Sequence, residues 1–540
     1  LVSVLCAWCT RMDIQSRKGA VDGDGEVRTI DKSEAAKELN SAQEQVLDRR
    51  RKTFRQALPQ ILATSAKNIL LIGYGMTLGF PTIVIPNVMA SSNSSLSSHD
   101  QLYLSKEQIS WFSSINLICV PVGSLLSGVL TQPFGRKPSM IALNIPFIAA
   151  WLVYHYSYNV GMLYTALVLT GFSGGVLEAP VLTYVAEITQ PHLRGMLSAT
   201  ASMCVILGVF VQFILGGFIP WRTVALINVV FPIVAIIALC CVPESPHWLI
   251  GKGRIEEAEK SLQWLRGWVG PADVQFELSH LTKSIQWSAQ NNMTKRTWQP
   301  FLRRTFLRPY LLVSLAFFFG HLGGMTTLQT YAVSIFAELG TPIDKYIATM
   351  LLGLVELVGA SLCVILVHWT GKRPLTMISL IGCGFCFTIV ALYGDWFRRH
   401  PDVDLYSWIP VTFLVGAAFL SHMSIRLLPW ILIGEVYPPE VRGTASGASG
   451  SIGYIFGFIA NKTYFISIDH LTLPGTFGFY AVVSLTGALV LYLLLPETEG
   501  RTLQEIQEHF AGTRNMMKER KTAGKWAAEN PALEVNECHL

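Results

Sequence analysis

The chain has 540 residues, of which 51% are hydrophobic and only 14% charged, with a formal net charge of +5. Ordinary soluble domains carry about a quarter charged residues, so this composition excludes a water-exposed globule and points to lipid. The small positive excess calls for no nucleic-acid partner, and ten scattered cysteines give no extracellular disulfide framework.

In chain order, residues 1–62 read as a cytosolic arm, polar and mixed in charge over Asp13–Arg55. Apolar stretches then occur near 68–90, 109–131, 139–158, 161–187, 196–219 and 223–243. A polar stretch follows, and six more apolar segments come near 309–337, 346–368, 374–394, 407–434, 444–466 and 475–495. Each approaches or exceeds the roughly 20 residues that cross a bilayer. Lipid offers backbone groups no partners, so the spans must be helices. The expected fold class is an all-α membrane protein with twelve transmembrane helices in two six-helix bundles. Its expected divisions are 1–62, a first bundle at 63–250, a helical linker at 251–307, a second bundle at 308–496 and a tail at 497–540.

Twelve spans put both termini on one side. Arg136, Lys137, Arg194, Lys372, Arg373 and Arg442 fall in short loops on that side, which the basic bias assigns to the cytosol. Asn93-Ser94-Ser95, in the first loop of the opposite side, is a glycosylation sequon compatible with this orientation and with a plasma-membrane protein. The linker, opening with Ile255-Glu256-Glu257-Ala258, reads as short amphipathic helices because Leu262, Trp264 and Leu265 need cover. Cys383 and Cys386 form a C-x-x-C inside an apolar run and read as small-residue packing.

Three phrases occur twice. Gly135-Arg136-Lys137 pairs with Gly371-Lys372-Arg373, Glu187 through Arg194-Gly195 with Glu435 through Arg442-Gly443, and Pro243-Glu244-Ser245 with Pro496-Glu497-Thr498. Their separations of 236, 248 and 253 residues are nearly constant, the mark of one half-unit used twice, as secondary transporters do. Arg136, Glu187, Arg194, Arg373, Glu435 and Arg442 are the gating candidates: acids and bases at helix ends that can pair and break as the halves rock. The bland alternative is that the bases only set orientation.

Pro243-Glu244-Ser245-Pro246-His247-Trp248-Leu249 and Pro496-Glu497-Thr498-Glu499-Gly500-Arg501-Thr502-Leu503 resemble the two signatures of the sugar porter family of the major facilitator superfamily. The resemblance covers about residues 65–510 and implies two bundles rocking around a midplane sugar site. It also implies where the site should lie, and there the chain departs. The seventh-span Gln-Gln and Asn positions hold Gly320, His321 and Thr326; the fifth-span Gln position holds Ser202 and the eleventh-span Asn position Gly457. The eighth-span position is Glu356, and the tenth-span Gly-Pro-x-Pro-Trp becomes Arg426-Leu427-Leu428-Pro429-Trp430. Trp430 is in place to stack on a sugar ring, and Tyr331 anchors the seventh-span alignment.

The cargo-site candidates are therefore Trp430, His321, Thr326, Glu356, Arg426 and Tyr331. Ionisable groups at midplane are costly and normally face a cavity and pair. Glu356 and Arg426 can form a structural pair, contact cargo, or leave Glu356 or Glu178 to couple protons; these alternatives stay open. The family symporters' first-span Asp aligns with Gly75, which argues against symport. The expected function is facilitative transport of a sugar, trehalose or a hexose, by alternating access. The rivals are a charged or proton-coupled solute, or a nutrient sensor that does not transport. No enzyme chemistry, metal or cofactor is expected, and the only partners implied are the solute and the bilayer. A monomer suffices, with the oligomeric state left open.

Overall fold

A computed structural model describes residues 32–89, 102–292, 299–400, 406–438, 442–501, 503–513 and 516. The sequon Asn93 lies outside the described residues. The chain divides into two compact units, Leu1–Gln56 and Ala57–Leu540. The described part of the first, residues 32–56, is helical; everything below concerns the second.

The helices in order are α1 (Lys32–Val88), α2 (Lys106–Phe112), α3 (Ile115–Thr131), α4 (Arg136–His155), α5 (Val160–Ile188), α6 (Pro191–Phe218), α7 (Trp221–Asn228) and α8 (Val230–Cys240). The linker forms α9 (Pro246–Gly251), α10 (Ile255–Leu265), α11 (Pro271–Asn292) and α12 (Gln299–Leu302). Then come α13 (Arg304–Leu322), α14 (Met325–Glu338), α15 (Lys345–Thr370), α16 (Lys372–Arg399), α17 (Trp408–Met423), α18 (Leu428–Val436), α19 (Arg442–Leu494) and α20 (Leu503–Ala511).

Local sequence explains the helix starts. Ser105 and Gln108 cap α2 reciprocally, Ser105 Oγ accepting from Gln108 N (3.2 Å) and Gln108 Oε1 from Ser105 N (2.9 Å). Asn159 Oδ1 accepts from Met162 N at α5, and Asp344 Oδ1 from Tyr346 N at α15. Eleven described helical segments are long and apolar enough to cross a membrane. The last, Thr444–Leu494, is 51 residues long and breaks at Thr472 (φ 65), so it supplies two crossings and completes the twelve expected spans.

Leu125, Val129, Ile237, Leu392, Val482 and Leu489 all point outward, as lipid-facing side chains should. The halves meet along two seams, α6 against α15 and α3 against α19. In the linker, Leu262 and Leu265 are fully buried, which is the cover their apolar side chains require. One packing element goes beyond the sequence reading: α20, within the expected tail, buries Ile506 and Phe510 in the core of the second half.

Candidate functional site

Between the halves lies a cavity of about 270 Å³, close to the lower end of small-molecule sites at about 300–1,000 Å³. The first half contributes Tyr74, Asn116, Glu178 and Ser202 to its wall. The second contributes His321, Thr326, Gln329, Arg426, Trp430, Tyr454 and Asn461.

Two helix breaks shape the second half's wall. Between α13 and α14 the chain turns at Gly324 (φ 92), where a β-carbon would strike the Tyr480 ring. Between α17 and α18 it unwinds over residues 424–427, held by α16 through Thr376 Oγ1–Ser424 Oγ (2.9 Å) and by Ile425 N donating to Ser379 Oγ (3.4 Å). Broken helices of this kind expose backbone carbonyls at membrane depth, where they can hold polar side chains.

Arg426 uses that opening. Its Nη1 donates to Thr326 Oγ1 (3.0 Å), His321 Nδ1 (3.3 Å) and, weakly, Gly320 O (3.5 Å). Since Nη1 can only donate, His321 Nδ1 is an acceptor and the ring proton sits on Nε2. Thr326 Oγ1, 2.9 Å from the same Nδ1, donates to it in turn. Trp430 stands beside them at the cavity, meeting Phe317 edge-on with centroids 5.1 Å apart. His321, Thr326, Arg426 and Trp430 thus lie together on the cavity wall.

Two expected members do not reach the cavity. Glu356 is fully buried on α15 behind Gln329, whose Nε2 donates to Glu356 Oε2 (2.8 Å). No ion pair joins Glu356 to Arg426 among the described residues, because Arg426 is drawn instead to the α13–α14 break. Glu356 therefore orients Gln329, and Gln329 is the side chain that lines the cavity. Tyr331 is buried too, stacked on Tyr464 (centroids 4.1 Å) with its hydroxyl 2.6 Å from Ser113 Oγ. It seals the wall of the cavity and does not line it.

Ser113–Tyr331 belongs to a set of contacts between the halves. Asn461 Nδ2 donates to Ser113 O (3.0 Å), Ser110 Oγ to Lys462 O (2.9 Å) and Thr82 Oγ1 to Gln329 O (2.9 Å). Lys106 Nζ pairs with Asp469 (3.1 Å), and Lys462 Nζ lies 3.9 Å from the centre of the Trp111 ring. All run from the cavity to the end opposite the repeated motifs, so the cavity is shut toward that end.

At the motif end the three repeated phrases converge within each half. In the first, Arg136 pairs with Glu187 (Nη2–Oε1 2.9 Å), and Ser245 Oγ donates to the same carboxylate. Glu244 accepts from the backbone N–H of Arg136 (3.2 Å) and Lys137 (3.1 Å); burial nevertheless holds its carboxyl above the usual range. In the second, Lys372 Nζ pairs with Glu435 (2.7 Å) and Glu499 (2.8 Å), while Glu497 accepts from Lys372 N (3.1 Å) and Arg373 N (3.0 Å). Gly135 (φ 105) and Gly371 (φ 85) let the loop fold onto those carboxylates, where a β-carbon would collide with Glu244 or Glu497.

The gating candidates pair differently in the two halves. Arg373 does not meet Glu435; its guanidinium donates to Tyr492 O (2.6 Å) and lies over the Tyr492 ring. The repeat itself carries the answer, since Arg136 corresponds to Lys372 and not to Arg373. Both pairs join elements of one half, so neither fastens one half to the other. Arg194 is exposed and, among the described residues, donates only to Thr189 O (3.4 Å), and the Arg442 side chain lies outside the described residues.

Sequence reasoning missed Gln329 and Asn461. Gln329 follows Thr326 by three residues, one helical turn, which was the available signal. Asn461 is buried and also donates to Thr330 Oγ1 (3.1 Å).

Residues 64–510 match the sugar (and other) transporter family. The chain is 28% identical over 457 residues to the facilitated trehalose transporter Tret1 of Apis mellifera ligustica, covering 84% of this chain and 88% of that one. It is likewise 28% identical over 457 residues to Tret1 of Bombyx mori, covering 83% and 86%. In fold it is similar to the inward-open xylose transporter XylE from E. coli, with TM-score 0.65 at 18% identity over 83% of this chain and 98% of that one. The partially occluded inward-open form of XylE gives TM-score 0.64 at 17% identity over 81% and 99%. With twelve spans in two related halves and the family matched across most of its length, the chain belongs to the sugar (and other) transporter family.

Proposed function

We propose that this protein moves a neutral sugar, trehalose or a hexose, across a membrane by facilitative alternating access. The observation that carries this reading is a polar cavity lined by both halves and shut toward one end by contacts that join them. Rocking that breaks those contacts opens the cavity to the other side. Trp430 offers a ring platform; Arg426, Gln329 and Asn461 offer hydrogen bonds to hydroxyls. Two relatives whose names specify trehalose support the cargo class.

The motif-end clusters around Glu187 and Glu435 serve as rigid corners that let each half move as a body. The basic loops carrying Arg136, Lys137, Lys372 and Arg373 support a cytosolic motif end, hence cytosolic termini, in a membrane we take to be the plasma membrane. One chain builds the whole cavity, so a monomer suffices for transport.

The test is uptake of labelled trehalose and glucose into proteoliposomes with and without a pH gradient. Saturable equilibration of either sugar, indifferent to the gradient, is expected. Absence of flux for both in folded protein, or uptake that occurs only with a proton gradient, would overturn the reading.

A further inference from the structure

Glu178 sits on α5 in the first half and Arg426 between α17 and α18 in the second, and both line the same cavity. Glu178 Oε2 accepts from Ser124 Oγ (2.8 Å). Its Oε1 abuts Gly450 of α19, where even a β-carbon would come within 2.8 Å, so only glycine leaves that oxygen uncovered. No basic group of the described residues pairs with Glu178, and the partners of Arg426 are the neutral Thr326, His321 and Gly320. Tyr454 lies within electrostatic reach of both charges. The cavity therefore presents a carboxyl from one half and a guanidinium from the other, neither with an oppositely charged contact partner among the described residues, while Glu356, behind Gln329, acts on Arg426 from farther off.

We propose that this arrangement selects cargo by net charge, with Glu178 the residue that rejects anions and Arg426 the one that rejects cations. The inference rests on the sugar-transport reading and deepens it by naming what distinguishes accepted from refused sugars. A neutral polyol gains from both charges at once: its hydroxyls donate to the Glu178 carboxylate and accept from the Arg426 guanidinium, as charge-assisted bonds. A sugar acid gains at Arg426, is repelled by Glu178, and also surrenders the hydration of its own carboxylate. An amino sugar meets the mirror image. Because the two charges belong to different halves, a neutral cargo also bridges them, which favours the closed, occluded arrangement between the two open ones.

The experiment compares glucose, glucuronate and glucosamine as competitors of labelled-sugar uptake in wild type, Glu178→Gln and Arg426→Gln at neutral pH. In wild type, glucose should compete at least about tenfold better than glucuronate. In Glu178→Gln that preference should fall by about tenfold as glucuronate gains, and in Arg426→Gln glucosamine should gain while glucuronate stays excluded. A second arm needs no cargo. In a cysteine-free background carrying Ser202→Cys, the ratio of labelling by cationic and anionic methanethiosulfonates reads the cavity potential directly. Glu178→Gln should shift that ratio several-fold toward the anionic reagent and Arg426→Gln the other way. If no sugar competes even in wild type, the sugar reading falls, and the reagent ratio still decides the charge rule. An unchanged ratio in monodisperse Glu178→Gln protein, or equal competition by glucose and glucuronate in wild type, overturns it.

Discussion

The motif end and the central cavity follow opposite rules. At the motif end the two halves repeat one another: glycine loop, buried carboxylate under its N–H groups, and base on acid. At the cavity each wall carries a tyrosine and an asparagine, but the other polar groups differ, with glutamate and serine on one wall and arginine, histidine, glutamine and tryptophan on the other. The difference teaches where the two tasks lie. Holding a half rigid is the same problem twice, whereas gripping an asymmetric solute needs two unlike walls.

The largest expected effect tests how alike the two corners are. Lys372 has only 4% of its side chain exposed and serves two carboxylates, whereas Arg136 is 16% exposed and serves one. Lys372→Ala should therefore cost stability near the lower end of the roughly 3–5 kcal/mol seen for broken buried pairs. Arg136→Ala should cost about 1–3 kcal/mol, the range for a lost bond to a charged group. Melting of the two variants in detergent measures the difference; equal losses would show that depth of burial does not distinguish the corners.

The same contrast explains what the sequence made legible. Repeats, span lengths and the glycine loops could be read because each depends on local chemistry or on a second copy. The Lys372–Glu435 pair was legible in principle from the offset between Gly135 and Gly371. The cavity was only half legible, since alignment names positions along a helix but not which side chain stands in front. Glu356 and Gln329 occupy neighbouring helices, and only packing decides that the amide faces the cavity and the acid stands behind it. Glu178 was legible as an intramembrane acid, and it accepts from Ser124 Oγ. Its place on the cavity wall depends on Gly450 of the other half, about which no local pattern speaks.

On the cavity side, Arg426→Gln removes the only guanidinium that the described residues place in the wall and should weaken sugar binding by about 10- to 100-fold, equivalent to roughly 1.5–3 kcal/mol. Equilibrium binding to purified protein checks this, and unchanged affinity would move the cargo site away from the α17–α18 break. Glu356→Gln should do far less, a shift of about threefold or below, because a glutamine carbonyl can still accept from Gln329 Nε2 at the cost of a charge-assisted bond. Abolished binding in Glu356→Gln, with the melting temperature intact, would return Glu356 to the cargo site itself.

The smallest effect separates two contacts that close the end opposite the motifs. Lys106–Asp469 is an exposed pair, with 66% and 56% of the side chains open to solvent, and such pairs contribute about 0–1 kcal/mol. Lys462 lies over the Trp111 ring at 3.9 Å while its backbone carbonyl accepts from Ser110. A cation over an indole face keeps about 0.5–1 kcal/mol at exposed sites and depends less on a long flexible partner than the Lys106 pair does. Both should bias the rocking equilibrium toward the state closed at this end, but only the ion pair should fade with added salt. Spin labels at Tyr158 and His470, on the two halves, can follow opening at this end. In Lys106→Ala the distance distribution should change slightly at low salt and match wild type at high salt. In Trp111→Leu it should shift toward opening at both, because removing the ring removes an attraction that screening ions cannot reach. If both variants lose their effect in salt, the closure is electrostatic alone and the aromatic face contributes only packing.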